Sequence, residues 1–218
     1  MKSINRRSTA FALSAIPLLH FARIAAADTE AVAMAKKLME AAPAHGERTP
    51  GDPKAPVTMI EYASATCPHC AEFHNDIWPG IKKDYVETGK VFFILREFPT
   101  DQTALGAFML ARCVAEDKYF AVIDLMFRRQ AVWTKGRPKD ELYKIVGMAG
   151  LSAADADACL NRKELFDAIM ATRKMATEDF GVKGTPTFFV NGTYLDGHED
   201  PQAVRKSLDD ALAKAGAN

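Results

Sequence analysis

The chain has 218 residues, 48% of them hydrophobic, with 28 basic and 28 acidic side chains and so no formal net charge. That size and composition suit one ordinary domain, or one domain with a large insertion, and allow a sizeable core. A chain without basic excess offers no electrostatic footprint for nucleic acid, which argues against that partner.

The first 27 residues, "MKSINRRSTAFALSAIPLLHFARIAAA", have a basic start, an apolar middle and a small-residue end, the pattern of an export signal cleaved at or near Ala27. His20 and Arg23 interrupt the apolar run, so a membrane-spanning helix is not expected. Arg6-Arg7 follows the twin-arginine pattern only loosely, which favours a general secretory route and a periplasmic destination. Removing 1–27 takes away Lys2, Arg6, Arg7 and Arg23 and no acids, leaving 24 basic against 28 acidic residues, net −4.

Residues 28–42 are rich in Ala and Met and predict a short helix; "PAHGERTPGDPKAP" is crowded with Pro and Gly and predicts a linker, so 28–56 reads as an N-terminal helix and linker. The body is expected to begin near Val57. "VTMIEYAS" predicts a strand, followed by a helix from Cys67 toward Thr88 with a kink or break at Pro79, then by the strand "KVFFILREF". The connection makes this a strand-helix-strand unit with parallel strands.

From about Asp101 to Asp179 only helical periodicity appears, with Ser152 and Asp155 placed as an N-cap and capping box. "TPTFFVNGTYLDG" then predicts a hairpin turning at Asn191-Gly192, and Pro201 opens an amphipathic helix through Val204, Leu208 and Leu212. The fold class is α/β: strands in 57–100 and 180–218, interrupted by an all-helical insertion over 101–179.

The chemistry centres on Cys67-Pro68-His69-Cys70, where a strand gives way to a helix. A thiol at a helix N-terminus meets unpaired N–H groups and the positive end of the macrodipole, both of which favour thiolate. Pro68 suits the first helical position, and His69 can add a donor or positive charge beside Cys67. Cys70, one turn on, faces inward as the resolving partner. Each pKa unit by which Cys67 falls stabilises the reduced protein by about 1.4 kcal/mol, roughly 30 mV toward a stronger oxidant. A merely stapling bridge here would close a tiny loop and constrain little. Cys67, His69, Cys70 and His74 could instead hold copper or zinc, although a second CxxC or an HxxxH is absent. His74 by itself reads as a helix-surface residue, and His45 and His198 receive no role. The four cysteines, with Cys113 and Cys159, allow three pairings.

CPHC after a strand, the helical insertion, "LREFP" and "GVKGTPTFFVNG" together resemble the DsbA family of exported thiol-disulfide oxidoreductases, over roughly Val57 to Ala213. The resemblance implies a thioredoxin fold with an inserted helical domain. It implies an enzyme that needs no resident cofactor and introduces disulfides into unfolded or partly folded cysteine-containing exported proteins. A quinone-linked membrane protein of the DsbB type would reoxidise it. The resemblance also implies a cis Pro186 beside the CxxC, with the backbone of Thr185 pairing with substrate as an added strand. Glu61, six residues before Cys67, matches a buried acid that relays protons to Cys70, or else is an exposed outer-face residue; the family's partner lysine has no clear match in "VFFILREF". Cys113 and Cys159 resemble a second, structural disulfide found in an alphaproteobacterial subgroup. A reductase or isomerase on the same fold is the alternative, because Thr185 before Pro186 also occurs in isomerase-like members.

Overall fold

The computed structural model describes residues 33–216; the export-signal reading of 1–27 lies outside that range. Within it, no helix is long and apolar enough to cross a membrane. Helix α1 covers 33–40, strand β1 Val57–Ala63 and strand β2 Val91–Glu97. They pair in parallel, Val57 opposite Val91 through Ala63 opposite Glu97. Strand β3, Thr187–Val190, runs antiparallel to β1 on its other side and turns at Asn191-Gly192 into β4, Thr193–Leu195, giving the order β2-β1-β3-β4. Both turn residues have positive φ, 46° and 79°, which is why Asn-Gly stands there. Gly192 is required for a second reason: a Cβ would stand 2.3 Å from Cβ of Ala35 in α1.

The connection between β1 and β2 is one helical run, α2, over 68–86. It contains two π-helical segments, Phe73–Ile77 and Lys82–Val86, around Trp78–Ile81. The break expected at Pro79 is therefore absorbed as widened turns. Pro79 has no N–H to give, and the Trp78 N–H bonds to the Phe73 carbonyl five residues back.

The helices α3 (Gln102–Cys113), α4 (Tyr119–Arg128), α5 (Gln130–Trp133), α6 (Pro138–Met148), α7 (Ala153–Leu160) and α8 (Lys163–Phe180) follow without a strand. Ser152 caps α7 by accepting from the Asp155 N–H, and its hydroxyl donates to the Asp155 carboxylate. Helix α9, Pro201–Ala215, closes the chain with Val204, Leu208 and Leu212 buried.

Strand alternation sends β1 side chains to two cores. Val57, Met59 and Ala63 pack with Cys70, Phe73 and the insertion in one continuous cluster, whereas Ile60 and Tyr62 pack with Leu38, Ile94 and Phe180 on the other face. The segment expected to be a linker is anchored instead. Arg96 donates to Glu47, the Leu38 carbonyl and the Tyr62 hydroxyl, and Arg112 donates to the Gly46 carbonyl and to Glu97. Burial pushes the Glu97 carboxyl up, but His45 and Arg112 outweigh it and hold it at about 2. Of the two, Arg112 makes direct hydrogen bonds, while His45 Nε2 stands 3.5 Å away, without hydrogen-bond geometry.

Candidate active site

Cys67 is the N-cap of α2, with extended backbone, and Pro68 takes the first helical position. The loop before it is tied down by hydroxyls: Ser64 Oγ lies 2.9 Å from Thr100 Oγ1, and Thr66 donates to Asp101. Gln130, at the start of α5, places its side-chain amide across this loop and donates to the carbonyls of both Ala65 and Cys67, each at 2.8 Å.

The two thiols of the motif are free and differ sharply in setting, Cys67 half-buried and Cys70 fully buried. A hydrogen bond from Cys70 is the main cause that brings the Cys67 pKa down from 9.0 to about 5. Burial opposes it, and the Thr185 side chain and the backbone N–H groups of Cys70 and His69 add to the lowering. Burial first, then Cys67 and the Glu61 charge, push the Cys70 thiol well above 9.0. One thiol is thus a thiolate at neutral pH and its neighbour a protonated thiol.

The Thr185-Pro186 peptide bond is cis, and the Thr185 carbonyl lies 3.1 Å from Cys67 Sγ. Beside it runs an open groove of about 570 Å³ lined by Phe180, Lys183, Pro186, Phe189 and Tyr194. The His69 ring is exposed and turns to Glu72, Nδ1 to Oε2 2.9 Å, and that contact is the first cause of its raised pKa. His69 therefore reaches the Cys67 sulfur through its backbone N–H more than through its ring.

A sequence profile of the family described as thioredoxin matches residues 43–210. The crystal structure of Wolbachia pipientis alpha-DsbA1 superposes with a TM-score of 0.74 at 31% identity, covering 80% of this chain and 94% of that one. The thiol:disulfide interchange protein DsbA of Yersinia pestis is 30% identical over 145 residues, 63% of this chain and 67% of its own. The chain belongs to the DsbA family. A Rickettsia typhi protein that carries a provisional name as a protein-disulfide oxidoreductase is 32% identical over 165 residues. The match spans about six tenths of that relative's length, 61%, and 62% of its Rickettsia prowazekii counterpart.

In this DsbA-family chain the fold gathers Cys67, Pro68, Cys70, Thr185 and Pro186 at one end of the sheet, with Glu61 beneath them. Glu61 is fully buried, not an outer-face residue. Leu95 stands across from it on β2, where a lysine would be needed for a cross-strand pair. Its partner comes from α2 instead: His74 Nε2 lies 2.8 Å from Glu61 Oε2, with both side chains buried. His74 is therefore not a surface residue. Cys70 faces inward, and a residue four positions on shares its face; Phe73, Ile77 and Trp78 mark the same buried stripe. That spacing was the signal that could have found His74.

The inward turn of His74 and the outward turn of His69 also disperse the soft-ligand cluster of the motif. Among the described residues, no group of three or more His, Cys, Asp or Glu is arranged to hold a metal ion. Cys113 and Cys159 are joined in a disulfide linking α3 to α7 across a sequence separation of 46. Chain entropy values such a loop at about 4 kcal/mol as an upper guide. Gln130 carried no sequence signal, since its contacts exist only once the insertion has docked.

Proposed function

We propose that this chain is an exported, periplasmic thiol-disulfide oxidoreductase that introduces disulfides into newly translocated, cysteine-containing proteins. The opposed thiols carry the reading: Cys67 ionises at about 5 while Cys70 stays protonated. A substrate thiolate attacks Cys67 Sγ of the oxidised pair, and Cys70 leaves and takes up a proton. A second substrate thiolate then attacks the substrate sulfur of the mixed disulfide, and Cys67 leaves as a stable thiolate. The substrate dithiol has lost two electrons, which now reside in Cys67 and Cys70.

The cis-proline segment supports an added-strand mode of substrate binding at Thr185, which reads backbone more than side chain and suits many clients. In this reading 1–27 directs export. Residues 57–100 and 180–218 form the thioredoxin-like unit, 101–179 the inserted helical domain, and 28–56 an N-terminal brace. A quinone-linked membrane oxidant of the DsbB type restores the Cys67-Cys70 disulfide.

The test mixes the oxidised protein with a reduced, unfolded secretory protein and follows disulfide transfer by mass. One disulfide should move per enzyme, and Cys67→Ser and Cys70→Ser should each abolish transfer, because neither variant can hold the Cys67-Cys70 disulfide that the reaction consumes. Absence of transfer from the oxidised protein, with rapid reduction of substrate disulfides by the reduced protein instead, would contradict the oxidase.

A further inference from the structure

The proton on Cys70 is the one the exchange chemistry has to move through a closed interior. Cys70 is fully buried and so is Glu61. One oxygen of Glu61 meets His74, and the other, Oε1, is buried without a hydrogen-bond partner. His74 is sealed by aromatics: its ring stacks on Phe127 with centroids 4.2 Å apart and planes 18° from parallel, and Trp78 and Phe73 flank it. Its second nitrogen, Nδ1, has no hydrogen-bond partner and points toward Asp124 of α4, 4.0 Å from Oδ1, which is buried and unpartnered as well. The Asp124 side chain is 21% exposed. Three unsatisfied buried polar atoms thus belong to the three residues Glu61, His74 and Asp124 that meet in sequence, and leaving such atoms unpaired is costly unless they serve a purpose.

Among the described residues, the titratable groups that meet His74 are Glu61 from β1 and Asp124 from α4, and Cys70 lies one turn back on its own helix, where the Glu61 charge acts on its thiol. We propose that His74, oriented by Asp124, is a positioning residue that holds Glu61 and passes its proton between the buried Cys70 thiol and solvent. The proposal rests on the exchange reading above. During reoxidation the oxidant first forms a mixed disulfide with Cys67. The Cys70 S–H bond then breaks and its proton goes to Glu61. The Cys70 thiolate attacks Cys67 Sγ, and the oxidant's thiolate departs. Glu61 hands its proton through His74 Nε2, Nδ1 releases one toward Asp124 and water, and the site regains its starting charge. During substrate oxidation the same path runs inward to reprotonate Cys70.

The experiment reacts the reduced full chain with oxidised glutathione across pH 6–8, quenches with acid, and counts two species by mass: Cys67-glutathione and the Cys67-Cys70 disulfide. His74→Gln keeps a hydrogen-bonding group without the relay, and Asp124→Asn is nearly isosteric and keeps the packing, so one folded variant suffices. The expected result is accumulation of Cys67-glutathione, with its conversion to the internal disulfide slowed about 100-fold in His74→Gln, the low end for loss of an acid-base group. Asp124→Asn should slow it less, with a steeper dependence on pH, and Asp124→Glu should restore the rate. Formation of the mixed disulfide should be unchanged in all. Wild-type rates and pH dependence for the second step in Asp124→Asn would overturn the relay alone. A wild-type chain that forms neither species would overturn the exchange reading and the relay together.

Discussion

Cys67 and Cys70 share a motif and a helical turn but not an environment. The sequence is enough to place a thiol at a helix N-terminus, and CPHC was legible on that ground. The sequence is not enough to say which donors reach it. His69 looked like the ring that would lower the Cys67 pKa, yet the ring is occupied by Glu72, and the lowering comes first from Cys70, with Thr185 and backbone N–H groups adding to it. Of these, Thr185 meets Cys67 across 118 positions, beyond any local pattern. Alkylation of the reduced protein should follow a Cys67 titration with a midpoint near pH 5. Cys70 should stay unmodified throughout, as mass spectrometry would show. A midpoint near 9.0 would remove the basis for assigning Cys67 the attacking and leaving role.

At the scale of elements, β1, α2, β2 and the Asn191-Gly192 hairpin were readable because each rests on a local rule: strand alternation, helical spacing, a turn dipeptide that tolerates positive φ. The π-helical segments around Pro79 were not, because they depend on how the core accepts a widened turn. Helix α5 is the sharper case. It has only four residues, too few for a periodic signal, yet it supplies Gln130, which braces the active-site loop. Gln130→Ala leaves the Ala65 and Cys67 carbonyls without that donor in a buried place, and should cost about 1–3 kcal/mol. Urea unfolding would measure it, and an unchanged midpoint would mean that the loop is held by its hydroxyls alone.

Across the whole molecule, the parallel unit, the insertion and the closing helix were in the pattern of elements, but the role of the N-terminal segment was not. Its Pro and Gly content marked a linker, whereas Arg96 and Arg112 reach it from β2 and α3 and fasten it over the sheet. That anchoring depends on buried charge pairs between distant segments, which composition cannot show. The thiol pair has a consequence at this scale too. Cys67 has its pKa lowered to about 5 from 9.0. The folded reduced protein therefore gains stability that is complete above about pH 9, shrinks as pH falls, and is gone below about pH 5. The oxidised protein has no thiolate to stabilise, so the difference appears as oxidising power. The decisive measurement is the reduction potential of the Cys67-Cys70 pair at pH 7 against glutathione, with Cys113 and Cys159 followed separately by mass. The account predicts a value more positive than about −180 mV, the range of protein disulfide isomerase. A value near about −270 mV, that of thioredoxin, would contradict it and make the chain a reductase.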